Sequence, residues 1–229
     1  MKERETDEVL AQAALDTPAV PSALLDSIAG SIKTTLRPVR PMPPAWLLTA
    51  GLILIAAVVA LAGAARAGFY GIERLTAFER VLIFPALTLL LWASAAEFAA
   101  SMVPGSRRRV HPGALLTTSC LVLMGIFAVV FRDYHTTHFV SAGIACLVAG
   151  LAHAVPVALL SWLLMRRGFA VNPVAAGAIA GTLAGLAGVT MLELHCPNFQ
   201  VLHLLVWHTA VVPVAGAAGA LLAWTTHPR

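Results

Sequence analysis

Residues 46–65 read WLLTAGLILIAAVVALAGAA, from Trp46 to Ala65, without a single charged side chain. A helix needs roughly 20 mostly apolar residues to cross about 30 Å of hydrocarbon, and this run meets that length. It is apolar all round rather than along one stripe, so it calls for lipid and not for a one-sided core. Working outward, five more stretches share its character, which places spans at about 46–65, 81–102, 111–131, 142–165, 171–192 and 204–224. The expected fold is all-α: a polytopic membrane protein with a bundle of six transmembrane helices over 46–229, preceded by a tail over 1–45.

Composition agrees. Hydrophobic residues make up 59% of the 229-residue chain and charged residues 11%; ordinary soluble domains sit near 45–50% and about 25%. The net charge of +4 comes from basic residues scattered between apolar blocks. That arrangement fits membrane topology and not a nucleic-acid groove, so direct nucleic-acid binding is not expected. The first 45 residues hold no apolar run, so no cleavable secretory signal is expected and the first span serves as an uncleaved anchor. No Walker loop, dinucleotide fingerprint or HExxH motif occurs, and the chain is not expected to be an enzyme.

Six spans put both ends of the chain on one side. Arg37, Arg40, Arg107, Arg108, Arg109, Arg166, Arg167 and Arg229 flank spans on that side, against Arg66, Arg74, Arg80 and Arg132 on the other. The excess of arginine predicts that both termini are cytoplasmic. Three short connections, about 66–80, 132–141 and 193–203, then face outward.

The tail is too short for a core of its own. Ser22 can cap a helix over about 22–36, in which Leu24, Leu25, Ile28, Ile32 and Leu36 recur at helical spacing. Pro38 stops it, and Pro41, Pro43 and Pro44 make a stiff link to Trp46. An apolar helix face with no domain behind it lies on the membrane or docks in the groove of a cytoplasmic protein.

Six of the eight histidines fall in the outer half: His135, His138, His153, His195, His203 and His208. Cys146 lies near the outer end of the fourth span, and Glu193 and Cys196 at the outer end of the fifth. Ionisable groups within a membrane are costly and usually face the bundle interior, where they mark function. Thiolate and imidazole suit Zn and Cu, so Cys146 and Cys196 with His135, His138, His195 and His203 are candidate metal ligands. Cys146 and Cys196 joining as a disulfide is the alternative, since the outer side of a bacterial inner membrane is oxidising. No resident cofactor is implied; a soft ion would act as a signal. His203 and His208 are five residues apart, about 140° around an α-helix, and would not chelate together without a bend. Cys120 reads as a small buried hydrophobe, His153 as a histidine hydrogen-bonded to a neighbouring helix, and Gly177, Gly181 and Gly185 as a small-xxx-small packing face, with Gly216 and Ala220 a weaker one.

The stretch from Leu36 to Pro44 (LRPVRPMPP) resembles the tail-to-membrane junction of NrsF-type proteins, which are six-span negative regulators of extracytoplasmic-function sigma factors. His195-Cys196-Pro197, followed by HLLVWH over 203–208, is similar to that family's last outer loop and sixth span, and Cys146 fits its two-cysteine pattern. The resemblance implies that the tail holds a sigma factor inactive at the membrane. It also implies that Cys146 and Cys196 sense an outside signal such as a heavy metal or an oxidant. The residues themselves leave two rivals: a Cu or Zn transporter, and a haem-binding electron-transfer protein with His153 and His208 as axial ligands.

Overall fold

The computed structural model describes residues 12, 21–35, 43–103, 109–168 and 170–226. Leu36, and Arg37, Arg40, Arg107, Arg108 and Arg229 of the topology argument, lie outside the described residues. The chain divides into two units, Met1–Pro41 and Met42–Arg229.

In the first unit a helix runs over Ser22–Thr35. Leu24, Leu25 and Ile28 are exposed on it, with Ile32 one further turn along.

The second unit is a bundle of six helices long and apolar enough to span a membrane: Ala45–Ala67, Ala77–Ser101, Pro112–Val130, Phe139–Arg167, Pro173–His195 and Val201–Thr226. The all-α six-span reading holds, with ends moved by four residues or fewer from the expected 81–102 and its companions. The second span begins earliest against expectation because Thr76 and Glu79 form a capping box, Thr76 Oγ1 accepting from Glu79 N–H and Glu79 returning to Thr76 N–H. Polar residues can open a helix when they satisfy its free N–H groups, so a hydropathy boundary starts it too late.

The fifth span is the axis of the bundle. Of its most apolar stretch 78% is buried, against 22% in the third and fourth spans. Its small residues explain this. A Cβ added at Gly177 would lie 2.4 Å from the Gly219 carbonyl, and one at Gly181 2.2 Å from that of Ala215. At Gly188 it would lie 2.3 Å from the Gly150 carbonyl. The sixth span therefore meets the fifth backbone to backbone, and the fourth meets it one face round, which only hydrogen in place of a methyl allows. The expected glycine face is present on the fifth span. On the sixth span the tightest counterpart is Gly219, where a Cβ would lie 2.3 Å from the Gly177 carbonyl. Gly216 of the expected Gly216–Ala220 pair also faces the stripe, its Cα 2.8 Å from a Cβ placed at Gly181. A Cβ on Gly216 itself, however, would meet Leu116 and Thr182 side-chain atoms at 3.3 Å and 3.4 Å and the Ala178 carbonyl only at 3.8 Å.

The sixth span is not a uniform α-helix. Leu204–His208 is a π-helical turn, one turn ahead of Pro213. The Thr209 hydroxyl donates to the Leu204 carbonyl at 3.3 Å, satisfying a group that the widened turn loosens.

Candidate functional site

Connections at one end of the bundle hold the start of the sixth span and the end of the fifth in register. The short helix Tyr70–Arg74 lies against the fifth span's end so closely that a Cβ at Gly71 would be 2.6 Å from the Glu193 carbonyl. His195 donates from Nδ1 to the Gly68 carbonyl at 3.0 Å, and Arg74 Nη1 reaches the Pro197 carbonyl at 3.5 Å. On the opposite flank Val201 N–H donates to the Asp133 carbonyl at 2.7 Å, an isolated bridge joins Asp133 to Gln200, and the Phe131 and Phe199 rings stack at 5.1 Å. Cys196, the cap residue after the fifth span, is fixed between these two clamps.

Cys146 Sγ and Cys196 Sγ lie 3.4 Å apart, bridging the fourth and fifth spans. Cys196 Sγ is 3.8 Å from His203 Nε2. His208 completes the group: the ligand atoms of Cys146, Cys196, His203 and His208 all lie within 4.8 Å of one another. Cys196, His203 and His208 are buried and Cys146 is half-buried. The two histidine rings stand 5.2 Å apart at 70°. A π turn closes hydrogen bonds between residues five apart, so positions 203 and 208 return to one face. That turn is the bend without which the pair could not share a ligand.

Behind His208 stands the carboxylate of Glu193, whose place in the sequence gives it no partner. His208 donates from Nδ1 to Glu193 Oε1 at 2.6 Å, and both side chains are completely shielded. His208 Nε2, His203 Nδ1 and Glu193 Oε2 have no hydrogen-bond partner. Buried polar atoms without partners are rare in native structures and call for a reason. A carboxylate holding one ring nitrogen while the other faces two thiols is the arrangement that orients metal-binding histidines. Four soft donors, two of sulfur and two of nitrogen, match a tetrahedral Zn site or a lower-coordinate Cu(I) site. The hydrogen bond to Cys146, and then burial, push the Cys196 thiol up, so an incoming ion must displace its proton.

The remaining sequence candidates lie elsewhere. His135 and His138 are exposed: His135 pairs with Asp133 at 2.6 Å, and His138 sits before the fourth span with φ 55°. The His135 backbone N–H and ring hold the Asp133 carboxyl below the usual carboxylate range. His195 is committed to Gly68. His153 donates to the Ala149 carbonyl of its own helix at 2.8 Å, not to a neighbouring helix, and its ring fills the notch left by Gly63. Cys120 packs half-buried against the core. Glu97, outside that candidate set, is 6% exposed near the other end of the bundle and accepts the Arg109 backbone N–H at 3.2 Å.

A family model described as NrsF, negative regulator of sigma F, matches residues 33–226. The chain belongs to the NrsF family. The match runs through all six spans and both cysteines, so this member is a multi-pass membrane protein and a negative regulator of a sigma factor. No curated protein and no solved structure matches the chain.

Proposed function

We propose that this NrsF member holds an extracytoplasmic-function sigma factor at a bacterial inner membrane and releases it when a soft metal ion or an oxidant acts on Cys146 and Cys196. Both termini are cytoplasmic in this reading. The output element is the helix Ser22–Thr35, whose Leu24, Leu25 and Ile28 are exposed and, with Ile32 and Leu36 in the same repeat, form the face offered to the sigma factor. The input element is the cysteine–histidine cluster, and the single observation that carries the reading is its four converging donors in a chain of this family.

The cluster ties the fourth, fifth and sixth spans together, so chemistry there favours one packing of these helices over another. Moving the bundle from 1:99 to 99:1 between holding and releasing states takes about 5.5 kcal/mol of differential binding. Metal–thiolate bonding is strong enough, and so is a disulfide. Two observations keep both triggers in view. The carboxylate-backed His208 favours metal, and the 3.4 Å separation of the sulfurs favours oxidation.

Full-length protein solubilised from its own membranes should carry a sigma factor, identified by mass spectrometry, and lose it on exposure to Cu, Zn or oxidant. Ile28→Asp sets an unpaired charge on the apolar face and should lose the sigma factor without any signal, turning its target genes on. Undiminished co-purification of that variant would contradict the assignment of the helix.

A further inference from the structure

Away from the cysteines, the fourth span parts from the fifth and sixth. The fourth and fifth close on each other at Gly150 and Gly188. Beyond that point Pro156 leaves the Ala152 carbonyl without its helical donor. In the opened half a groove of about 330 Å³ runs along the lipid side of the bundle. Its floor is Gly177, Gly181 and Gly219, recessed by the backbone contact between the fifth and sixth spans, and Trp162, Met165 and Leu222 stand along it.

The mouth of the groove is cationic. Arg166 and Arg167 form the last turn of the fourth span, are exposed, and have no carboxylate partner among the described residues. The Arg166 guanidinium lies 4.9 Å over the Trp162 ring, which ties the positive charge to the groove wall. Trp162 Nε1–H is shielded and makes no hydrogen bond. An apolar cleft opening on lipid, with two arginines at its headgroup end, has the polarity of an anionic phospholipid: chain below, phosphate above.

We propose that this groove binds an anionic glycerophospholipid of the surrounding bilayer. One acyl chain lies on the Gly177–Gly181–Gly219 floor, and the phosphate sits between Arg166 and Arg167. A second copy of the chain is the poorer occupant. Two-fold packing about the membrane normal would bring four arginines to one depth around the axis, none of them paired with an acid among the described residues.

The test uses the full-length protein, delipidated and placed in nanodiscs of phosphatidylcholine alone or with phosphatidylglycerol, with bound lipid counted by native mass spectrometry after release. Wild type should retain phosphatidylglycerol in preference to phosphatidylcholine. Each arginine near an anionic headgroup is worth about a factor of five, so R166Q/R167Q should weaken that preference about 25-fold. Ala158→Phe fills the groove from the fourth span. It should cut retention of both lipids while the arginines remain. Melting of each variant in phosphatidylcholine alone should match wild type, which separates lost binding from lost fold. Equal retention of the two lipids by wild type, or an undiminished preference in R166Q/R167Q, would overturn the proposal. So would a dimer that survives in nanodiscs and is broken by Ala158→Phe, because the groove would then be an interface between copies.

Discussion

The fifth and sixth spans meet twice, and the two meetings are built from opposite materials. Toward Gly177 and Gly219 the contact is backbone on backbone, and the one polar side chain beside it, Thr182, already donates to the Ala178 carbonyl of its own helix. Toward Glu193 and His208 the same two helices meet through a fully shielded carboxylate–imidazole pair, a π turn and the Cys196 thiol, with Cys146 joining from the fourth span. A glycine contact is intolerant of volume and indifferent to chemistry. The cysteine end is the reverse, since Glu193 Oε2, His203 Nδ1 and His208 Nε2 lack hydrogen-bond partners there and the donor atoms can rearrange around an ion or an S–S bond. In the proposed function one end serves as a pivot and the other as the place where a signal changes the helices' relative energy.

The contrast can be broken most severely at the pivot. Gly181→Leu drives a side chain into the Ala215 carbonyl, 2.2 Å from where its Cβ would stand. It should cost about 3 kcal/mol or more, visible as a large drop in the melting temperature of the purified protein. A melt within a degree or two of wild type would mean that the two helices are not in backbone contact.

The next largest effect belongs to the cysteine end and should be nearly invisible to a melt. Glu193→Gln keeps the shape beside His208 and removes the charge that orients its ring. Zn or Cu(I) affinity, read by competition with a chelator, should fall about 10–100-fold. Unchanged affinity would place Glu193 in packing alone. Histidines outside the cluster sharpen the point. His135→Ala and His138→Ala should leave metal affinity as in wild type, although their residue type alone marked them as ligands. A drop like that of Glu193→Gln would return them to the site. Smallest of all should be Gly216→Ala, whose new Cβ meets Leu116 and Thr182 side-chain atoms at 3.3 Å and 3.4 Å and the Ala178 carbonyl at an ordinary 3.8 Å, and should shift the melt by a degree or so. A collapse there would move the pivot from Gly219 to Gly216.

How legible each part was follows from its physics. Six spans can be read from hydropathy because lipid imposes a length and an apolarity on each helix independently. The second span starts four residues before hydropathy places it because a capping box is polar, and hydropathy ends where polar residues begin. Cys146 and Cys196 could be singled out because a soft side chain near a membrane face stands against its surroundings. Which histidines join them could not, because every one has the same residue type and only tertiary structure separates His203 from His195, bonded to Gly68. His208 was set apart from His203 by α-helical geometry, and a π turn, which no periodicity announces, overrides that geometry. Glu193 had a position but no partner until the sixth span was packed beside it. Pro213 one turn downstream was the only signal in the sequence that the helix there need not be regular.

The central claim is that Cys146 and Cys196 act as one unit that releases the sigma factor. Transcription from a target promoter of that factor, measured with and without metal or oxidant in Cys146→Ser, Cys196→Ser and the double variant, tests it most directly. Removing either sulfur breaks the same site, so all three should be equally uninducible with the sigma factor still held, while Cys120→Ser responds as wild type. Partial defects that add in the double variant, or normal induction without either cysteine, would contradict it.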